Sequence, residues 1–184
     1  MAVMLIDTQG LWDPHTENRL NCSVFGNCCM LSSYVIINQK GVITSEFLSQ
    51  LDILSKFTQT LKMDSDNKIK LFQHLNLLNR DNVDIPIDGS LNACIDVSQK
   101  IMKLLDSATA FEEHTKQLKT CFREIDAFCL PTPGTIDVKG YDGSIDKINP
   151  LFMQSLGYYI EQVVRNLRPR VLNDVPMTGA TFCR

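Results

Sequence analysis

The stretch Leu71-Phe-Gln-His-Leu-Asn-Leu-Leu-Asn-Arg-Asp81 decides the fold class. Its first eight residues form a short and largely apolar run, which is typical of a buried strand, and polar residues end it. Similar short runs cover Ala2–Ile6, residues 34–37 and residues 126–130, and longer segments separate them. Strands that alternate with helices predict an α/β fold, here a doubly wound, mostly parallel sheet flanked by helices.

Five helices are predicted from apolar residues that recur at intervals of three or four. They cover about residues 18–33, 47–61, 94–105, 109–125 and 152–167. Thr109 and Glu112 have the spacing of a capping box at the start of the fourth helix, and Phe122 and Ile125 would belong to its apolar face.

Composition narrows the class of protein. The chain has 184 residues, is 44% hydrophobic and 21% charged, and carries a net charge of −3, so disorder and coiled coil are excluded and nucleic acid is not the expected partner. Neither a membrane-spanning apolar run nor a signal peptide is predicted. The seven cysteines are odd in number and lack CxxC spacing, which indicates reduced packing thiols in a cytosol-facing protein and no zinc site.

Candidate chemistry follows three predicted strands, where ligands bind in parallel sheets. The first segment is Asp7-Thr-Gln-Gly10. A carboxylate at Asp7 could reach a magnesium ion, usually through a water, and Gly10 would let a backbone N–H approach a γ-phosphate. The same pattern also describes an ordinary strand-to-turn junction.

The second segment is Arg80-Asp81, and the third is the loop after Leu130. A carboxylate can accept both N1–H and N2–H of guanine in a bidentate pair, which adenine cannot offer. The alternative for an isolated Arg-Asp is a surface ion pair or a turn cap. Asp7 and Asp81 together, in this order on alternating strands, indicate a guanine-nucleotide domain.

Three sequences carry a family resemblance: residues 3–13 (VMLIDTQGLWD), residues 77–81 (LLNRD) and residues 128–134 (FCLPTPG). In this order they resemble the atlastin branch of the dynamin superfamily, within the guanylate-binding and root-hair-defective type of GTPase domain. The resemblance extends across nearly the whole chain, including the segment Met177–Phe182.

The resemblance implies a role for each matching residue. Asp7 would be the magnesium-side carboxylate of switch II, with Gln9 and Gly10 catalytic at the γ-phosphate. Arg80 and Asp81 would bind guanine. The residues that would form the guanine cap are Thr135, Ile136, Asp137 and Val138.

The same resemblance implies a function for the intact parent. GTP would be the substrate and magnesium the cofactor, and hydrolysis would drive homodimerisation through the GTPase domains and fusion of endoplasmic-reticulum membranes. The domain would face the cytosol, and the membrane would be reached only through segments of the parent.

The chain departs from the family pattern at the phosphate loop. Phosphate binding needs Gly-x-x-x-x-Gly-Lys-[Ser/Thr], and no Gly is followed by Lys in this sequence. We therefore expect residues 1–184 to be the carboxyl-terminal part of one GTPase domain, with a partial sheet of P-loop type that lacks its amino-terminal strands. Such a chain would be inactive alone, and the missing strand would leave an apolar sheet edge exposed. The sequence leaves open a truncated gene model, a degenerate paralogue, or a non-catalytic interaction module.

Overall fold

The computed structural model describes residues 3–8, 18–59, 70, 72–106, 112–134, 141–172 and 175–182. In chain order the elements are α1 (Asn18–Leu31), β1 (Tyr34–Lys40), α2 (Ser45–Gln59), β2 (Phe72–Arg80), α3 (Leu91–Asp106), α4 (Glu112–Cys121), β3 (Phe122–Cys129), a 3₁₀ turn (Ile145–Lys147), α5 (Pro150–Asn166), β4 (Val171–Leu172), β5 (Val175–Pro176) and α6 (Gly179–Phe182).

The main sheet has three parallel strands in the order β1-β2-β3. Leu75 of β2 lies opposite Val35 of β1 and Ile125 of β3. Because β2 is the middle strand, with neighbours on both edges, it is the most buried of the three, as a parallel strand covered by helices is expected to be. The predicted α/β fold with a parallel sheet flanked by helices is confirmed.

Two groups of buried side chains hold the helices to the sheet. The first joins α1, α2 and α4 to β2 and includes Phe25, Leu48 and Leu75. The second joins the end of β3 to α3 and α5 through residues such as Phe128 and Leu151. Burial of apolar surface is the main force that fixes these helices against the strands.

Predicted packing roles for the cysteines agree with their positions. Cys22, Cys29, Cys94, Cys121 and Cys129 are buried, and none of them forms a disulfide. Burial raises the pKa of the Cys22 and Cys29 thiols and raises that of Cys129 to about 11. Thiols in such positions are protonated packing groups at neutral pH.

The predicted strand over Ala2–Ile6 is wrong for residues 3–6, and Ala2 lies outside the described residues. Val3, Leu5 and Ile6 are exposed, and the segment is irregular. A strand is stabilised by backbone hydrogen bonds to a neighbour, and none of the described strands pairs with this segment.

The fourth predicted helix extends too far. The helix in the structure, α4, ends at Cys121, and the next residues, including Phe122 and Ile125, belong to β3. The packing of the sheet determines the boundary, because Phe122 pairs with Phe72 of β2 in the parallel register. The short elements β4, β5 and α6 were not predicted, and Thr109 of the proposed capping box lies outside the described residues.

Among the described helices, none is both long enough and apolar enough to cross a membrane.

Candidate functional site

The ends of β2 and β3 are joined by backbone hydrogen bonds. The Leu130 N–H donates to the Asn79 carbonyl at 2.8 Å, and the Asn82 N–H donates to the Leu130 carbonyl at 3.1 Å. Arg80-Asp81 and the segment after Leu130 are therefore neighbours, as the sequence predicted. We call Lys40, residues 79–82 and residues 130–134 the carboxyl edge.

Asn79 is the anchor of the carboxyl edge. Its side chain is fully buried, donates from Nδ2 to the Gly41 carbonyl, and accepts from Asn82 Nδ2 at 2.6 Å. The Gly41 N–H in turn donates to the Arg80 carbonyl at 2.8 Å. Buried polar groups are costly unless they are hydrogen-bonded, so this satisfied set fixes the chain on both sides of Asp81.

Asp81 follows β2 directly and adopts a left-handed conformation, with φ of 57°. Aspartate tolerates this region better than most residues, because its short side chain bonds locally. The turn continues in Asn82, whose Oδ1 accepts from the Asp84 N–H at 2.8 Å. This geometry reverses the chain and leaves the Asp81 side chain 16% exposed at the carboxyl edge.

Two cations form long ion pairs with the Asp81 carboxylate, which is one of the alternatives that the sequence left open for Arg80-Asp81. Lys40 Nζ is 3.7 Å and Arg80 Nη1 is 3.8 Å from Asp81 Oδ2. Both distances exceed a hydrogen bond, so neither cation occupies the carboxylate as a donor. Arg80 is held elsewhere, since its Nε donates to Asn38 Oδ1 at 2.8 Å. The result is a carboxylate in a positive environment that can still accept from a ligand.

The segment after β3 forms the second wall of the carboxyl edge. Pro131 and Pro133 are buried, and the Pro133 carbonyl accepts from the Asn149 N–H at 3.0 Å. Asn149 also caps α5, because its side chain accepts from the Leu151 N–H. Gly134, with φ of 96°, ends the described part of this segment. The predicted guanine-cap residues Thr135, Ile136, Asp137 and Val138 lie outside the described residues.

Of the predicted switch II residues, Asp7 is described, whereas Gln9 and Gly10 lie outside the described residues. Asp7 is exposed in the irregular segment 3–8. Within the described part of the chain, no group of three or more His, Cys, Asp and Glu is arranged to hold a metal. The carboxylate of Asp7 is an oxygen ligand of the kind magnesium prefers, and its role stays a prediction.

A polar cluster on β2 and β3 was not predicted from the sequence. His74 Nδ1 lies 3.3 Å from Glu124 Oε2, and His74 Nε2 lies 2.9 Å from Asp126 Oδ2. Asn76 donates to Asp126 Oδ1 and accepts from the Tyr159 hydroxyl at 2.8 Å. Burial raises the pKa of Tyr159, which therefore stays a neutral donor that ties α5 to the sheet.

Sequence reasoning also missed the supporting residues of the carboxyl edge, namely Lys40, Asn79 and Asn82. A signal existed for Asn79, because an amide next to an apolar run and one residue before Arg80-Asp81 is a candidate for burial with partners. Lys40 offered no comparable signal, since its proximity to Asp81 depends on the pairing of β1 with β2.

Sequence comparison finds several curated relatives that are named atlastins. Atlastin from Drosophila melanogaster is 29% identical over 167 residues, which is 85% of this chain and 29% of the relative. Atlastin-1 from Mus musculus is 30% identical over 163 residues, or 85% of this chain and 28% of the relative. Atlastin-3 from Homo sapiens is 29% identical over an alignment of 195 residues, which covers 100% of this chain and 34% of the relative.

The chain thus spans about a third of the length of these curated relatives. The family model for the N-terminal domain of guanylate-binding protein matches residues 1–171. The resemblance to atlastin-like GTPase domains of the dynamin superfamily is confirmed, and the chain belongs to the family of the guanylate-binding protein N-terminal domain.

Proposed function

We propose that the chain supplies the guanine-binding half of a GTP-hydrolysing domain, with Asp81 as the residue that selects the base. The observation that supports this most directly is the position of the Asp81 carboxylate at the carboxyl edge. Lys40 Nζ and Arg80 Nη1 lie 3.7 and 3.8 Å away, too far to occupy its acceptor positions.

Guanine presents N1–H and the 2-amino group side by side, and one carboxylate accepts from both. Adenine has an acceptor at N1 and no 2-amino group, so the same carboxylate would face a lone pair. A site built around hydrogen bonds rejects an analogue that leaves its polar groups unpaired. Arg80, held by Asn38, would lie beside the base and keep the carboxylate from turning away.

The phosphate side of the site is proposed from the family resemblance. Asp7 would hold the magnesium ion, and Gln9 and Gly10 would lie at the γ-phosphate. Thr135, Ile136, Asp137 and Val138 would cover the base. When bound, magnesium neutralises the phosphate oxygens that gain charge during transfer.

We expect the 184-residue chain on its own to bind GTP weakly and to hydrolyse none. Its sequence has no Gly-Lys pair, so the backbone cradle and the lysine that hold the β- and γ-phosphates are not supplied. Base recognition then provides most of the affinity, and the reacting phosphate is not positioned.

For the intact protein we propose GTP-driven homodimerisation and membrane fusion at the endoplasmic reticulum. These roles rest on the resemblance to atlastins. A second candidate function is a non-catalytic pairing module that works without nucleotide. Guanine-selective binding by the folded chain supports the first function, and no binding at millimolar nucleotide supports the second.

The Asp81→Asn variant gives a sharper test of base recognition. The asparagine amide N–H can donate to the 2-oxo group of xanthine. In guanine the same amide N–H would face the 2-amino group, and two donors cannot form a hydrogen bond. We expect competition by GTP to weaken about tenfold or more and competition by xanthosine triphosphate to strengthen. Asp84→Asn, an exposed carboxylate in the following turn, is the matched control and should change neither. An unchanged preference for GTP over xanthosine triphosphate in Asp81→Asn would exclude the assigned role.

A further inference from the structure

A cavity of about 220 Å³ lies between α3, α4 and the start of β3. This place is remote from the carboxyl edge, which follows the opposite ends of the strands. The cavity opens to the surface and is many times larger than a water molecule, which occupies roughly 30 Å³ in the liquid. A cavity of this kind is a candidate ligand site.

The inner wall of the cavity is apolar. It is formed by six side chains of the main core or packed against it: Leu77, Met102, Leu105, Leu118, Phe122 and Ile125. The buried Thr115 hydroxyl also lines it but already donates to the Leu105 carbonyl at 3.1 Å. The interior therefore accepts a hydrocarbon group and offers little to a polar one.

The mouth of the cavity is cationic. Lys70 and Arg123 are exposed there, and Lys119 pairs with Asp106 at 2.8 Å. Among the described residues that line the cavity, three cations and one carboxylate give a formal charge of +2, within a chain whose net charge is −3. The pKa of Arg170 is lowered mainly by burial, and the positive charge of Arg123 lowers it further.

We propose that this cavity binds a small anionic amphiphile, with a short acyl or alkyl chain inside and a carboxylate or phosphate at the mouth. The apolar wall accounts for the chain, and Lys70 and Arg123 account for the charged head. A neutral or cationic amphiphile has no negative head group to pair with Lys70 and Arg123. The site is independent of guanine binding, because no residue of the carboxyl edge lines it.

The test is a titration of the full 184-residue chain with octanoate, below its micelle concentration. The signal is the ε-methyl NMR resonance of Met102, assigned by comparison with Met102→Leu. We expect a saturable shift with octanoate and octyl phosphate, and at least tenfold weaker binding of octanol and octyltrimethylammonium. Affinity should rise about fourfold for each methylene from hexanoate until the cavity is full.

Two variants assign the interactions. Lys70→Gln combined with Arg123→Gln should weaken octanoate binding about tenfold or more and leave octanol unchanged. Lys100→Gln, an exposed lysine of α3 outside the cavity, is the control and should bind octanoate as the unmodified chain does. Met102→Trp should fill the cavity and abolish binding; if it does not fold, the double variant still decides, because it alters only exposed side chains.

Three results would overturn the proposal. They are no saturable shift up to 5 mM octanoate, equal affinity for octanol and octanoate, and unchanged octanoate binding in the double variant.

Discussion

Replacing Asn79 by alanine should destabilise the chain more than any other polar substitution at the carboxyl edge. The change removes the hydrogen bond to the Gly41 carbonyl and the bond from Asn82 Nδ2 at 2.6 Å. Each net bond contributes about 1 kcal/mol, and a buried group left unpaired costs about 1–3 kcal/mol more. Because Asn79 is fully buried and Asn82 nearly so, we expect a loss of about 3–5 kcal/mol in the free energy of unfolding.

The assay is equilibrium unfolding in urea, with circular dichroism as the signal. Asn38→Ala is the matched control, since this exposed asparagine makes one side-chain bond, from Arg80 Nε, and should cost no more than about 0.5 kcal/mol. Asn79→Ala should also weaken guanine binding, because it frees the turn that carries Asp81. An unfolding free energy within 0.5 kcal/mol of the unmodified chain would refute the anchoring role of Asn79.

Three further predictions concern the core. Leu75→Ala, in the middle strand, should cost about 2–5 kcal/mol in urea unfolding, whereas Val83→Ala, 78% exposed, should change stability by no more than about 0.5 kcal/mol. Burial raises the pKa of Tyr159 above its value in the unfolded chain, so the unfolded chain loses the Tyr159 proton at lower pH than the folded chain does. The free energy of unfolding should therefore fall as pH rises above about 10. In Tyr159→Phe this fall should be shallower between pH 9 and 11. Burial also raises the pKa of Cys129 to about 11, so mass spectrometry should find it unlabelled by iodoacetamide at pH 8 until urea unfolds the chain.

The sheet could be predicted from the sequence because its strands are buried and apolar. Residues 34–37, 71–78 and 126–130 all carry this signal, and β1, β2 and β3 form there. Val3–Ile6 carries the same signal without forming a strand, because apolar composition does not report whether a hydrogen-bonding neighbour is present. The spacing of Phe122 and Ile125 fits a helix face, and only their pairing with β2 assigns them to a strand.

The candidate site was predictable where a chemical group follows a strand, and not where partners come from distant segments. Arg80 and Asp81 stand out as charged residues after an apolar run. The hydrogen bond from Asn79 to Gly41 joins residues 38 positions apart, so no local sequence pattern predicts it. The cavity between α3 and α4 was equally hidden, since residues such as Leu118 and Phe122 have the sequence signature of an ordinary core.

The most direct test of guanine recognition is equilibrium binding of fluorescent GTP to the 184-residue chain in the presence of magnesium. Unlabelled GTP and ATP are the competitors, and the measurement is repeated on Asp81→Ala after circular dichroism has shown that both proteins are folded. We predict competition by GTP, at least tenfold weaker competition by ATP, and loss of guanine selectivity in Asp81→Ala. Equal competition by ATP, or selective binding that survives in Asp81→Ala, would contradict the assignment of Asp81 as the base-selecting residue.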